Sequence, residues 1–219
     1  TRNHTLGLAF RGGDHLVEAK FGLQDLPEQL WPNQRMDMLG NDQKRVNLRY
    51  LGDLDWGQLE ARAYHEDVDH FMDFGADKKY WYKNPPGPTY DGTPCGVPSA
   101  TCAAGMPMYT ASTNTGVVVK ADIDLTQQGL LRVGTEYQRY RLDDWWPASG
   151  AAMWPNTFWN VNDGERDRMA LFGEWEKQYS PQWLTLAGLR YERVAMDAGD
   201  VHRYTRNTYP TVVAASGGN

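Results

Sequence analysis

The sequence has no apolar run long enough to cross a membrane as a helix. No stretch of roughly 18 apolar residues occurs, and the mean hydropathy is -0.67. A helical spacing of apolar residues is almost absent as well. These absences argue against transmembrane helices. They leave a transmembrane β-barrel open, because only every second residue of a barrel strand faces lipid and the average composition therefore stays polar.

Positive charge and catalytic motifs are scarce too. The chain has 22 Lys and Arg residues against 28 Asp and Glu residues, so its net charge is -6, and we expect no nucleic-acid partner. It contains no Gly-x-Ser-x-Gly elbow, no His-Glu-x-x-His, no phosphate loop and no Gly-x-Gly-x-x-Gly. We therefore expect a protein that is not an enzyme.

Cysteine is nearly missing, since Cys95 and Cys102 are the only two. Both lie in a segment rich in Pro and Gly, where a disulfide formed in an oxidising compartment would close and restrain a small loop. Two free thiols and a metal-binding pair are the alternatives. A tetrahedral cysteine site needs a second pair that the chain does not contain, so a disulfide is the favoured interpretation.

What the chain has in quantity is strict alternation of apolar and polar residues. Between residues 117 and 125 the odd positions are apolar, whereas Lys120, Asp122 and Asp124 are charged. Successive side chains of a strand point to opposite faces, so this segment predicts a strand with one apolar and one charged face. The same pattern recurs in Leu6–Phe10, Val17–Leu23, Val46–Leu51, Leu59–Ala63, Leu131–Tyr137, Met169–Tyr179 and Trp183–Tyr191. The pattern predicts an all-β chain of about eight strands.

The connections between these strands alternate between short and long. Short ones lie at 11–14, 52–55, 126–129 and 180–181, and long ones at 25–42, 73–113, 143–165 and after 197. Tight periplasmic turns and extended extracellular loops are the habit of outer-membrane barrels. A soluble antiparallel sheet with one wet face explains the alternation equally well but the loop asymmetry less well. We therefore predict an antiparallel, up-and-down segment of a transmembrane β-barrel.

Several segments of the chain resemble the barrel sequence of TonB-dependent outer-membrane receptors. They are Asp25-Leu26-Pro27 with residues 33–38, Asn47-Leu48-Arg49-Tyr50, residues 68–73, residues 105–108 leading into Thr115-Gly116, and the hairpin from Phe172–Glu176 to Leu189–Glu192. The resemblance implies a barrel of about 22 strands plugged by an N-terminal domain. It also implies nutrient import across a Gram-negative outer membrane with energy from the TonB complex. We expect residues 1–219 to be a partial β-barrel domain, without the plug and the remaining strands.

Soft side chains suggest what such a receptor imports. His70 and Met72 share the parity of Glu60 and Arg62, which predicts that both face the barrel lumen. An imidazole and a thioether on one strand face suit a single metal ion, and thioethers favour Cu(I). The copper-receptor branch of the family, which this stretch resembles, uses a His-x-Met pair in its barrel together with a Cys and a Met of the plug.

Two further methionine pairs, Met36/Met38 and Met106/Met108, have the same spacing as a pair on one strand face. Met106 and Met108 are predicted as additional metal ligands. The alternative is that these residues pack against a plug or line the vestibule. No cofactor is expected, and a bound copper ion would be substrate.

Aromatic clusters offer a different substrate. Trp81, Trp145 and Trp146 are candidates for a substrate platform above the barrel, as a siderophore would need, although rings at the membrane edge are the alternative. Two other protein classes also stay open. One is a small closed eight-stranded outer-membrane barrel with an adhesin or structural role. The other is a soluble β-sandwich that binds carbohydrate through Trp and Tyr.

Overall fold

The computed structural model describes residues 1–78, 105–126, 129–147, 157–202 and 212–214. These residues form ten strands: β1 (Arg2–Gly12), β2 (His15–Leu26), β3 (Asp37–Leu54), β4 (Gly57–Asp73), β5 (Met108–Thr126), β6 (Gly129–Trp146), β7 (Phe158–Ser180), β8 (Trp183–Asp197), β9 (Asp200–His202) and β10 (Val212–Ala214). The described part of the chain contains no helix with the length and apolar character to cross a bilayer. The prediction of an all-β chain is confirmed.

The first eight strands make one sheet in chain order, each antiparallel to the next, and β9 pairs with β10 in a small second sheet. This is the up-and-down topology that the alternating connections predicted. Within the described residues β1 and β8 lie at opposite edges and do not pair, whereas a closed eight-stranded barrel requires that pairing. The eight strands also form a single layer rather than the two packed sheets of a β-sandwich.

The strands are longer than the sequence pattern indicated. β3 begins at Asp37, β5 begins at Met108, and β6 continues to Trp146, so parts of the predicted loops are strand. The hydrogen-bonded ladder continues where the period-two pattern fades. A membrane-spanning barrel strand needs only about 9–11 residues. β7, with 23 residues, is far longer, so the strands rise beyond that height at the end of the sheet that carries the long connections.

The sheet has an apolar face and a charged face. On β4 the apolar face carries Leu59, Ala61 and Ala63 and then turns polar at His65. On β5 it is apolar from Leu125 back to Val117, which pairs with Ala63. We call this apolar stretch next to the short turns the apolar belt. The end of the sheet beyond it, where the connections 27–36, 74–107 and 147–157 lie, is called the long-loop end.

Ion pairs bridge neighbouring strands on the charged face. Arg49 Nη1 lies 3.0 Å from Glu18 Oε2, and Arg49 Nε lies 3.0 Å from Glu60 Oε1. Arg132 Nη1 similarly bridges Glu174 and Glu176 at 2.7 and 2.8 Å. Charges of both signs therefore pair across neighbouring strands of the sheet. Such partly exposed pairs add at most about 1 kcal/mol each, so their main effect is to satisfy charges on a face that has little apolar core.

A buried ion pair between Lys78 and Asp37 lies at the long-loop end. The side chain of Lys78 is 1% exposed and that of Asp37 is 0% exposed. Lys78 Nζ donates to Asp37 Oδ1 at 3.1 Å, to Asp77 Oδ2 at 2.8 Å and to the carbonyl of Trp31 at 3.0 Å. Asp37 in turn accepts from the amides of Trp31 at 2.6 Å and Gly75 at 3.1 Å. These contacts, which we call the clasp, join the connection before β3 to the segment after β4.

The clasp remains ionised over a wide pH range. Burial alone opposes the charge of Asp37, but hydrogen bonds from Trp31 and Lys78 outweigh it and lower the pKa of Asp37. Burial likewise opposes the charge of Lys78, but its bonds to Asp77 and Asp37 raise the pKa of Lys78. The ionised carboxylate of Asp37 therefore contributes to the free energy of unfolding above about pH 4, and this contribution is lost as the pH falls through the lowered pKa of Asp37. The protonated amine of Lys78 contributes to the free energy of unfolding below about pH 10, and this contribution is lost as the pH rises through the raised pKa of Lys78.

Replacing Asp37 with Ala is expected to lower the free energy of unfolding of the intact protein by about 1–3 kcal/mol, because Lys78 and the amides of Trp31 and Gly75 lose a buried acceptor, while Asp77 still pairs with Lys78. Asp42→Ala is the matched control in the same strand, since the side chain of Asp42 is exposed, and it is expected to stay within about 0.5 kcal/mol of wild type. Denaturant unfolding at neutral pH measures both. Equal effects of the two substitutions would show that the clasp does not stabilise the fold.

Candidate metal site

Three methionines lie side by side on three adjacent strands at the long-loop end. Met72 of β4 is opposite Met38 of β3 on one side and opposite Met108 of β5 on the other. Directly opposed residues of an antiparallel pair have Cβ atoms about 4.5–5.5 Å apart and point to the same face. The structure therefore assembles a thioether row from Met38, Met72 and Met108.

A β-bulge in β3 creates this row. From Asn41 opposite His70 and Gly40 opposite Phe71, a regular ladder would continue with Leu39 opposite Met72. The register shifts between Met38 and Gly40, so Met38 takes that place instead. One extra residue in a strand moves the following side chains to the other face. The bulge thus puts a thioether where an unbroken strand would put Leu39.

The next row along the same face is polar and contains His70. His70 Nδ1 lies 3.0 Å from Asn41 Oδ1. An amide oxygen only accepts, so Nδ1 carries the proton and Nε2 carries the lone pair that can bind a metal. On the other side of His70, Thr110 donates to Asp144 Oδ2 at 2.8 Å. Asn41 thereby fixes the His70 tautomer that presents Nε2 as a ligand.

The environment of His70 favours the neutral imidazole. His70 is half-buried and lies beyond the apolar belt. Burial lowers the pKa of His70, and the negative charge of Asp144 opposes that effect. A metal binds to neutral imidazole, so a lowered pKa removes competition from protons near neutral pH. In the described part of the chain no three His, Cys, Asp or Glu side chains cluster to hold a metal. The ligands on offer here are thus thioethers and one imidazole.

Met106 lies just before β5, where Asp73 fixes the backbone. Asp73 Oδ1 accepts from the amides of Met106 at 2.6 Å and Phe74 at 2.7 Å. Gly105 has φ +120°, and a Cβ there would lie 2.5 Å from the same oxygen, so a side chain at Gly105 would disrupt this anchor. Burial raises the pKa of Asp73, against the effect of the two amide bonds. Met106 is therefore held at the entrance to β5, two residues before Met108.

The predicted aromatic platform is divided between the two faces. Trp145 belongs to a stack on the parity of the apolar face, with ring centroids 4.5 Å apart for Phe71 and Tyr109, 5.6 Å for Tyr109 and Trp145, and 5.8 Å for Trp145 and Trp159. Trp146 has the opposite parity and stacks on Phe158 at 5.5 Å. Trp81, Cys95 and Cys102 lie outside the described residues, so both the third tryptophan and the disulfide remain predictions.

The spacing of the sequence predicts His70, Met72 and Met108 as ligands but not how the strands bring them together. In the sequence Met38 stands out only as a partner of Met36, and nothing marks Asn41. The spacing His-x-Met places two ligands on one strand face, which is a local signal. The positions of Met38 and Asn41 depend on strand register across a bulge, and no pattern in the sequence marks that bulge.

Comparisons with known proteins agree on the fold. A family model described as TonB dependent receptor-like, beta-barrel matches residues 1–216. Among solved structures, one titled Copper transporter OprC is similar with a TM-score of 0.72 and 17% sequence identity. That match covers 97% of this chain and 30% of the other, so the chain spans less than a third of the length of that structure. A search of curated protein sequences finds no match.

Proposed function

Because the chain belongs to the family of TonB-dependent receptor-like β-barrels, we propose that it is part of the barrel of a receptor that imports copper. The receptor would lie in the outer membrane of a Gram-negative bacterium and take energy from the TonB complex. The eight-stranded sheet has two unpaired edges within the described residues, so further strands would be supplied by the rest of the receptor. A plug domain would belong to the rest of the receptor as well. The apolar belt would then face lipid and the charged face would line the lumen.

The observation that carries this proposal is the thioether row beside His70. Thioether sulfur is a soft ligand that selects Cu(I) over harder divalent ions, and imidazole also suits copper. Met72 and His70 lie two residues apart on one face of β4, and Met38 and Met108 flank Met72 on both sides. The metal would therefore bind between His70 Nε2 and the three sulfur atoms, on the lumen side and above the apolar belt.

The similarity to a structure titled as a copper transporter is consistent with this proposal, although at 17% identity it is evidence for the fold alone. A siderophore, the alternative substrate, would require aromatic rings that face the lumen. The rings of Phe71, Tyr109, Trp145 and Trp159 share the parity of the apolar face, and within the described residues Trp146 is the only member of the predicted platform on the charged face, so direct metal binding is favoured over a chelate platform.

Replacing His70 and Met72 together with Ala in the intact receptor is expected to abolish copper-dependent uptake, because both ligands on β4 are lost. Cellular copper in cells grown at limiting copper measures the effect, with the receptor level checked by immunoblot. The matched control replaces His65 and Met196 with Ala. His65 lies on the apolar face with its Nδ1 2.7 Å from Thr115 Oγ1, and Met196 is 75% exposed on β8. Uptake that persists in the His70/Met72 variant at normal receptor level would refute the site.

A further inference from the structure

Two strands repeat the same pair of side chains at the upper edge of the apolar belt. On β6, Tyr137 is followed at the next position on the apolar face by Arg139, and on β8, Tyr191 is followed by Arg193. The tyrosines are 46% and 65% exposed, and both arginines are exposed. Each pair therefore places an aromatic ring at the end of the belt and a guanidinium one step above it.

The two tyrosines mark the level where lipid chains meet headgroups. On the same face exposed Leu171 is directly opposite Tyr191, exposed Met169 is directly opposite Tyr137, and exposed Leu189 lies one step below Tyr191. Tyrosine is enriched at this interface because its ring is apolar and its hydroxyl is polar. Arg193 is level with Tyr137 and Arg139 lies one step above it, so both guanidinium groups reach the headgroup phosphates, given the membrane location that the proposed function assigns to the belt.

Both arginines are available to bind an anion. Within the described residues neither Arg139 nor Arg193 has an ion pair, whereas their neighbours are occupied. Arg141 bridges Glu165 and Asp167, each at 3.0 Å. Asp167 is directly opposite Arg139, so its charge is already shared with Arg141.

We propose that Arg139 and Arg193 form a binding site for the phosphate groups of an anionic lipid of the outer leaflet. A guanidinium binds a phosphate through two parallel hydrogen bonds. Arg139 is opposite Asp167 and Arg193 is opposite Met169, so the two positions are separated by two strands and one step along the face. With the strand spacing and the rise per residue of a β-sheet, this separation is about 12 Å. A bisphosphorylated headgroup spans this distance, while its acyl chains lie on the belt below.

The test is native mass spectrometry of the intact receptor in non-ionic detergent, titrated with bisphosphorylated lipid A. Each Arg near an anionic headgroup raises the affinity for the lipid roughly fivefold. The double variant with Arg139→Gln and Arg193→Gln is therefore expected to bind lipid A roughly 25-fold more weakly. Arg166→Gln is the matched control, because Arg166 is exposed and has no ion pair within the described residues but lies on the charged face. It is expected to bind lipid A as wild type does.

Two further arms identify the occupant. The dephosphorylated form of the same lipid is expected to bind the wild type no more tightly than it binds the double variant. Millimolar inorganic phosphate is expected not to displace lipid A, since it has no chains to cover the belt. Undiminished binding by the double variant, an equal loss in Arg166→Gln, or displacement by inorganic phosphate would overturn the proposal. Copper uptake is expected to be unchanged in the double variant, which separates this site from the proposed copper site.

Discussion

Replacing Met38, Met72 and Met108 together with Leu is expected to lower the affinity of the intact receptor for Cu(I) by more than about 100-fold. Removing a group that only orients a metal ligand typically costs 10–100-fold, and these substitutions remove the proposed ligands themselves. Leu and Met have similar volumes, so each exchange costs less than about 1.5 kcal/mol of stability and leaves the strands in place. The effect on affinity should therefore appear without loss of folded receptor.

The measurement is competition against a Cu(I) chelator under reducing conditions, repeated with Ag(I), which has the same preference for soft ligands. Met196→Leu is the matched control, since Met196 is exposed on β8, far along the sheet from β3–β5. Single substitutions separate the contributions, and Met72→Leu is expected to have the largest effect because Met72 is central in the row. An affinity that is unchanged in the triple variant would exclude the thioether row as the metal site.

Gly57→Ala is expected to prevent most of the receptor from reaching its folded state. Gly57 has φ +135° and is the first residue of β4, directly after the short turn from β3. A Cβ there would lie 1.9 Å from the carbonyl oxygen of Asp122 and 3.2 Å from Cα of Ile123, so it meets backbone of β5 rather than a movable side chain. The amide of Asp124 also donates to the carbonyl of Trp56 at 3.0 Å, which holds this turn against β5. Conformational strain and overpacking together amount to about 2–6 kcal/mol.

Gly13→Ala is the control for this prediction. Gly13 lies in the short turn between β1 and β2 with φ +57°, but a Cβ there meets nothing within 4 Å. Its expected cost is only the conformational term of about 1–2 kcal/mol. Urea unfolding and the folded fraction on unheated gels compare the two variants. Equal losses would mean that the contact of Gly57 with β5 adds nothing beyond its backbone angle.

The fold follows from the sequence wherever one face is apolar and the other charged. The alternation from Val117 to Leu125 identifies β5. The interruption of the alternation over residues 126–129 predicts the short turn to β6. Beyond the apolar belt the period-two signal fades, because the apolar face becomes polar there, and the predicted loops consequently extend too far into β3, β5 and β6. Met108, Trp145 and Trp146 are strand residues for this reason. Once the strand is known to include them, adjacent Trp145 and Trp146 must point to opposite faces.

The candidate site was predictable only in its local part. His70 and Met72 share a face by spacing alone. The position of Met38 opposite Met72 depends on the bulge, and the pairing of Asn41 with His70 depends on register set along the whole of β3 and β4. The clasp was missed for a similar reason, since Lys78 and Asp37 meet only when β3 and β4 pair.

The most direct test of the account is anomalous diffraction from crystals of the intact receptor soaked with Cu(I) or Ag(I). The account predicts a metal peak on the lumen side, within bonding distance of His70 Nε2 and of the Met72 sulfur, flanked by Met38 and Met108. A fully occupied peak elsewhere, with none at this row, would contradict it.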